Sequence, residues 1–252
     1  MNKLQILITN DDGISAPGIR FLIDVMKDYG NIAIMAPDKP QSGTGHAITF
    51  SEPLKIKTIT QTDHYKEYSC NGTPVDCIKL GENVILDKKP DLVVSGVNHG
   101  SNAAINIIYS GTMAAVLEAC IDEIPAIGFS IDTYKNDVDF EPSRPFIKKI
   151  VQGIIDKGMP KDICLNINIP HTDNIKGIKV CRQAKASWKE GFDSRVNPRG
   201  ENYHWLTGSF VVDDEGEDSD LKAIDRAYIS LVPVQVDLTA YKAMDEFRYL
   251  EE

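Results

Sequence analysis

Apolar positions along this chain fall into short runs and helical repeats that follow one another. Leu4–Ile8 is an apolar run of the length of one buried strand, and apolar residues then recur at helical spacing over about Ala16–Asp28. A second apolar run, Asn31–Pro37, follows and ends at a proline. A strand, a helix and a strand in this order predict a right-handed crossover between two parallel strands.

The same reading of the remaining chain predicts an α/β fold. Further strands are predicted at Ile48–Phe50, Leu54–Thr60, Tyr65–Cys70, Pro90–Gly96, Pro125–Ser130, Ile163–Pro170, Gly177–Cys181 and Ala227–Val232. Further helices are predicted at Pro74–Leu80, from Ser110 to about Cys120, at Arg144–Lys157 and at Leu238–Leu250. The expected architecture is a Rossmann-like three-layer core with a mostly parallel sheet.

The residue composition of the chain changes at about Gln183. Beyond it, four large aromatic residues alternate with glycine, asparagine, proline and aspartate: Trp188, Phe192, Tyr203 and Trp205. We interpret this stretch as a β-rich arm followed by a terminal helix. The predicted division is an α/β core over residues 1–182 and an arm over residues 183–252 that makes oligomer contacts, with an approximate boundary.

Composition narrows the classes of function. The 252 residues are 42% hydrophobic and carry a formal net charge of −10, which disfavours binding to a nucleic-acid duplex without a basic patch. No signal peptide and no membrane span are apparent. The five cysteines are widely spaced and form no C-x-x-C pair, so we expect reduced thiols in a cytoplasmic protein.

Two adjacent carboxylates, Asp11 and Asp12, follow the first predicted strand. Ligands of open α/β sheets gather outside the carboxyl ends of the strands, so both side chains are expected in that crevice. A divalent cation would relieve their mutual repulsion and their cost of desolvation. The alternative is ordinary turn chemistry, because Asp-Gly is a common turn dipeptide.

Three loops can share this crevice, and all of them offer oxygen ligands. They are Asn10–Gly13, Gln41–Gly45 and Ser95–Asn102. Hard oxygen donors with few histidines favour Mg²⁺ or Mn²⁺ over zinc or copper. The helix start at Ser110-Gly111-Thr112 adds a place for an anion, although a plain helix N-cap is the alternative for that segment.

Seven motifs in order resemble those of the SurE (survival protein E) nucleotidases along nearly the whole chain. They are Asn10-Asp11-Asp12-Gly13 with Ala16-Pro17-Gly18, Ala36-Pro37-Asp38 with Gln41-Ser42-Gly43, Gly72–Cys77, Ser95–Asn102, Tyr109–Ala115, Asn197–Gly200 with Tyr203-His204-Trp205, and Val236–Thr239. One departure is Asn197, which stands where the family pattern has an aspartate.

The resemblance implies a divalent-metal-dependent phosphatase that hydrolyses nucleoside monophosphates to nucleoside and phosphate. It implies one Mg²⁺ or Mn²⁺ per subunit, with metal ligands at Asp11, Asp12, Ser42 and Asn98. It also implies an α/β core with a β-rich C-terminal arm used in a homodimer or a homotetramer.

For the mechanism, our hypothesis is attack of a metal-activated water on phosphorus. Asp11 or Asp12 would orient or deprotonate that water. The phosphate oxygens would be held by Asn102, Ser110, Gly111 and Thr112. The sequence leaves open whether 5′- or 3′-nucleotides are preferred, which base is preferred, and whether short polyphosphate is a substrate. The roles of His46 and His99 also stay open.

Two other functions compete with this interpretation. A haloacid-dehalogenase-type phosphatase would form a phospho-aspartate, but that pattern requires Asp-x-Asp and Asn10 occupies the earlier position. A regulatory module would bind nucleotide and metal without releasing phosphate. A dinucleotide-dependent reductase is disfavoured, because no G-x-G-x-x-G follows the first strand.

Overall fold

A computed structural model describes residues 3–135, 137–214 and 216–251 of the chain. The strands are β1 (Leu4–Thr9), β2 (Gly30–Pro37), β3 (Ile56–Gln61), β4 (Tyr65–Cys70), β5 (Leu92–His99), β6 (Ala126–Ile131), β7 (Ile163–Ile169), β8 (Ile178–Val180), β9 (Ala186–Val196), β10 (Asn202–Val212) and β11 (Ile229–Gln235). The α-helices are α1 (Pro17–Met26), α2 (Pro74–Leu80), α3 (Gly111–Ile121), α4 (Arg144–Lys157) and α5 (Asp220–Asp225). Shorter helical segments are a π-helical turn at Gly81–Ile85 and 3₁₀ turns at Ala104–Tyr109, Glu141–Ser143 and Tyr241–Leu250.

Nine of the described strands form one mixed sheet in the order β3-β4-β2-β1-β5-β6-β7-β11-β8. The six strands from β4 to β7 in that order are parallel to one another, while β3 and β11 run antiparallel to β4 and β7. The chain moves from β1 to β2 on one side and later returns to place β5 on the other. The carboxyl ends of β1 and β5 therefore flank the point where the strand order reverses, which is where α/β sheets bind ligands.

Both faces of the sheet are buried, because the apolar side chains of its central strands point alternately to two cores. In β1, Ile6 and Ile8 pack in the core beneath α1 and α4, whereas Leu7 packs in the core beneath α2 and α3. Strands buried on both faces read as continuous apolar runs, as β1 does. The predicted α/β fold with a mostly parallel sheet is confirmed.

Two predicted elements take a different form. Ile48–Phe50 is not a strand, because the N–H and the hydroxyl of Thr49 donate to the carboxylate of Asp76 at 3.1 and 2.6 Å. Asp76 also completes a capping box with Thr73 at the start of α2. The predicted terminal helix is a 3₁₀ segment that begins at Tyr241 and contains no buried residue, so no packing stabilises an α-helix there.

The second sheet is the antiparallel hairpin of β9 and β10, which lies within the predicted β-rich arm. After this hairpin the chain returns to the main sheet as β11, which pairs with β7 and β8. The division at residue 183 stays a prediction as a domain boundary. All five cysteines are buried and free, and none of the helices in the described ranges has the length and hydropathy to cross a membrane.

Close packing of α1 on the end of β5 requires glycine at position 18. A Cβ atom there would lie 1.9 Å from the carbonyl oxygen of Val97, whereas one at Gly153 in α4 would meet nothing within 4 Å. We expect Gly18→Ala to lower the free energy of unfolding by about 2–3 kcal/mol, as overpacking does. Gly153→Ala should raise it by about 0.5–1 kcal/mol. Urea denaturation checks both, and equal stability of the two variants would contradict the packing argument.

Candidate active site

Asp11 lies at the carboxyl end of β1 and packs against the N-terminus of α3. Its carboxylate accepts a hydrogen bond from the Thr112 hydroxyl, and the residue is 4% exposed. A Cβ atom at Gly111 would lie 2.8 Å from the Cβ of Asp11, so this approach depends on glycine at the first position of the helix. The helix start is thus occupied by a carboxylate of the chain itself, as the helix dipole favours.

Burial raises the pKa of Asp11 from its usual 3.8 to about 6. The hydrogen bond from Thr112 opposes this shift, and the neighbouring charge of Asp12 adds to it. The ionised form of Asp11 is therefore costly in the absence of a positive charge.

Asp12 is more accessible than Asp11 and contacts the end of β5. Its Oδ2 atom accepts a hydrogen bond from the His99 N–H at 3.2 Å and lies 3.7 Å from Nδ1 of the same histidine. The imidazole packs edge-on against Phe140, with ring centroids 5.5 Å apart. Asn98 precedes this histidine, and its Nδ2 donates to the carbonyl of Gly100 at 2.7 Å. That bond orients the amide of Asn98 and leaves its oxygen available as a ligand.

The loop that carries Ser42 is tied to the core on both sides of that residue. The N–H of Gln41 donates to the carbonyl of Asp11 at 2.7 Å. Four residues beyond Ser42, Nε2 of His46 lies 2.8 Å from the Glu118 carboxylate, which also pairs with Lys79. The structure thus gives His46 a contact outside the cavity, where it holds the loop against α2 and α3.

Asn102 belongs to a buried polar network that fixes the Ser95–Asn102 loop. Its side chain donates to Oγ of Ser130 at 2.7 Å, and its N–H donates to Oδ1 of Asn168 at 2.7 Å. Its carbonyl accepts from Asn166 at 2.9 Å. The observed contacts of Asn102 are therefore anchoring contacts, and its contact with phosphate stays a prediction.

A cavity of about 720 Å³ opens where these loops meet. Six of the residues predicted as metal or phosphate ligands line it: Asp11, Asp12, Ser42, Asn98, Asn102 and Ser110. Gly111 and Thr112 do not line it, and the Thr112 hydroxyl supports Asp11 instead. The Ser110 hydroxyl accepts from the N–H of Met113, so it also serves as the N-cap of α3.

The donor set fits a hard divalent cation. The described lining of the cavity holds two adjacent carboxylates and no lysine or arginine, so within it only the imidazole of His99, beside Asp12, could offset their charge. The Oδ1 atom of Asn10, which precedes the pair but does not line the cavity, is buried without a partner among the described residues. Within the described ranges no three histidine, cysteine or acidic side chains form a metal-binding group. The fit therefore depends on hydroxyl and amide oxygens beside the carboxylates, which suit Mg²⁺ or Mn²⁺.

Comparison with known proteins decides the family. The family model described as survival protein SurE matches residues 6–190. The chain belongs to the SurE family. It is 57% identical over 247 residues to the 5′-nucleotidase SurE of Christiangramia forsetii, a match that covers 96% of this chain and 95% of that relative. The corresponding protein of Bacteroides thetaiotaomicron is 47% identical over 245 residues, covering 97% of this chain and 95% of its own.

A solved SurE structure shows the same fold. The crystal structure of the SurE protein from Aquifex aeolicus superimposes with a TM-score of 0.85 at 39% identity. The match covers 98% of this chain and 100% of the other. The family predicted from the seven motifs is confirmed.

One side of the cavity was not predicted from the sequence. Asn106, Tyr134, Glu190 and the hairpin segment Leu206–Gly208 line it, together with Trp188, which we had assigned to oligomer contacts. No role was predicted for the asparagines of β7 either. Their alternation with apolar residues was a usable signal, since buried polar side chains in a central strand need partners.

The cost of burying the Asp11 charge predicts a stability gain when that charge is removed. In protein freed of metal by a chelator, Asp11→Asn should unfold at higher urea concentration than the wild type at pH 7.5. The shift from 3.8 to about 6 corresponds to a gain on the order of 3 kcal/mol. Because the folded pKa lies above the unfolded one, the gain should shrink as the pH falls through 6 and vanish below about 4.

Asp87→Asn, which changes an exposed loop carboxylate, is the matched control and should show no comparable dependence on pH. A metal-free Asp11→Asn variant less stable than the wild type at pH 7.5 would contradict the burial argument.

Proposed function

We propose that this chain is a divalent-metal-dependent 5′-nucleotidase, which hydrolyses nucleoside monophosphates to nucleoside and phosphate. The observation that carries the proposal is the pair of adjacent carboxylates at the β1/β5 reversal point, in a cavity whose described lining also holds Ser42, Asn98 and Ser110 but no lysine or arginine. The relatives that bear the name 5′-nucleotidase SurE match nearly the whole chain, which supports this activity.

The proposed metal ligands are Asp11, Asp12, Ser42 and Asn98. A cation bound there would polarise a water molecule and offset the negative charge of the phosphoryl oxygens. Hydrogen bonds within the chain fix the positions of these proposed ligands. The Gln41–Asp11 hydrogen bond ties the Ser42 loop to β1, and the Asn98–Gly100 bond orients the amide ligand.

Asp12 is the better placed of the two aspartates to receive the proton of the attacking water. Its carboxylate is accessible from the cavity and lies beside the imidazole of His99, which can share the proton at Oδ2. Asp11 is buried and held by Thr112, so its part is to bind and not to move a proton. Ser110 at the cavity wall is the proposed contact of the phosphate oxygens, with Asn102 beside it. Gly111 and Thr112 would act indirectly, by seating Asp11.

The test is a phosphate-release assay on 5′- and 3′-nucleoside monophosphates and short polyphosphate, each with Mg²⁺, Mn²⁺ or a chelator. We expect release from 5′-nucleotides that the chelator abolishes. Asp12→Asn should lower kcat at least about 100-fold, the loss expected for a group that acts in the transition state. Asp87→Asn is the control and should retain full activity.

Phosphate release that is indifferent to chelation would contradict the proposal. Metal-dependent nucleotide binding without any release would favour the regulatory module instead. A trapped phospho-aspartate at Asp11 would favour the haloacid-dehalogenase route.

We also propose that the chain assembles into a homodimer or homotetramer in the cytoplasm through its arm. On the hairpin face that bears Tyr203, Trp205 is 62% exposed, and the following 3₁₀ segment exposes Phe247 and Tyr249. A two-stranded hairpin is marginal by itself, and exposed aromatic side chains on its outer face favour a protein interface there.

The oligomer prediction concerns one exposed aromatic on the hairpin. Trp205→Ser should weaken self-association by about 30-fold or more, since buried aromatic anchors dominate interface energies. Light scattering over a concentration series measures this. Phe50→Ser is the matched control, because Phe50 is 87% exposed but lies outside the arm, and it should leave the mass unchanged. A wild type that is monomeric at all concentrations would refute the assembly.

A further inference from the structure

One wall of the active-site cavity is apolar and comes from two parts of the chain. The hairpin contributes Trp188 and Leu206, and the core contributes Tyr109 and Tyr134. The floor of the cavity is thus rich in oxygen ligands, whereas this wall is rich in aromatic rings. A hydrated inorganic anion needs no such wall, whereas a nucleotide carries a flat apolar base beyond its phosphate.

Trp188 is fixed in place although it is 44% exposed. Its indole N–H donates to Oδ1 of Asn106 at 2.9 Å, and its ring packs on Phe210 with centroids 5.2 Å apart. Asn106 lies in the 3₁₀ turn Ala104–Tyr109, which begins two residues after Asn102 and leads into Ser110. One short helical turn therefore sets the position of the indole relative to the proposed phosphate contacts.

Glu190 is the carboxylate of the same wall. It lies on the hairpin face that carries Trp188, two residues further along β9, and pairs across the strands with Gly208. Both residues line the cavity. Because glycine has no side chain, nothing from the opposite position covers Glu190. No ion pair joins it to another side chain in the described ranges. A carboxylate accepts hydrogen bonds and donates none at neutral pH.

We propose that this wall is a nucleobase site, in which Trp188 stacks on the base and Glu190 accepts hydrogen bonds from its N–H groups. This assignment rests on the proposed function. The arm then selects nucleotides over other phosphomonoesters. It also ranks the nucleotides by how well their base can donate to Glu190. Guanine presents two adjacent N–H donors, adenine and cytosine present one amino group, and uracil presents a single N–H between two carbonyl oxygens.

The first experiment compares substrates with and without a base. Trp188→Ala should raise KM for GMP and AMP about 5- to 100-fold, as loss of an aromatic stacking partner does, and leave kcat within about twofold. KM for ribose 5-phosphate should not change. Trp188→Phe should restore part of the affinity, and Lys189→Ala, on the opposite face of β9, should have no effect. Equal shifts for all three substrates, or no shift, would overturn the proposal.

The second experiment reads binding without turnover. The chain has two tryptophans, so Trp205→Phe leaves Trp188 as the single indole fluorophore. GMP should quench its emission in the presence of a chelator, and ribose 5-phosphate should not. Absence of quenching at saturating GMP would overturn the base site. A failure of the proposed function has a different signature, because quenching would then persist without phosphate release from any nucleotide.

Glu190→Gln tests the selectivity among bases. Glutamine offers both a donor and an acceptor, so it can also donate to a carbonyl oxygen of uracil, which the carboxylate cannot do. We expect the ratio of kcat/KM for GMP over UMP to fall roughly fivefold or more, the range of one good base contact. An unchanged ratio would remove Glu190 from the site.

Discussion

The structure depends on holding two carboxylates together at one reversal point of the sheet. Asp11 is buried against the start of α3, where its charge is costly, and Asp12 stands beside it at the cavity. Folding alone would favour a neutral residue at position 11, since burial shifts its pKa to about 6. The apolar side chains packed on both faces of the sheet stabilise the fold and offset the cost of burying this charge. A charge that folding destabilises in this way would be stabilised by the proposed cation.

The loops around these carboxylates are held in place by hydrogen bonds to buried polar groups. Asn166 and Asn168 place amides in a central strand, where apolar residues would pack better, and both bond to the loop that ends at Asn102. On the other side, the contact of His46 with Glu118 holds the Ser42 loop against two helices. A fully paired network costs little and fixes one arrangement of the loop. The proposed cation site would therefore not have to order these loops on binding.

Much of the core could be predicted from the sequence, because its signals are local. The repeat at Arg144–Lys157 matches α4 at both ends, since proline starts that helix and Gly158, with a positive φ, ends it. The prediction of a strand at Ile48–Phe50 was wrong, because the backbone N–H of Thr49 donates to the carboxylate of Asp76, which lies 27 residues away in sequence. The proposed metal ligands were predicted from strand ends and family motifs, and the structure places Asp11, Asp12, Ser42 and Asn98 around one cavity. The contact between Trp188 and Asn106 spans 82 residues, and no periodicity encodes it.

The hairpin separates two roles by the alternation of its side chains. Trp188 and Leu206 lie on the face that lines the cavity, whereas Trp205 and Tyr203 lie on the other face. A shift of one residue in the β9/β10 register would exchange these faces and destroy both surfaces at once. The hairpin has no core of its own, so contacts made by its outer face in the proposed oligomer would also hold its inner face over the cavity. The proposed assembly and the proposed base site would therefore be coupled through the same two strands.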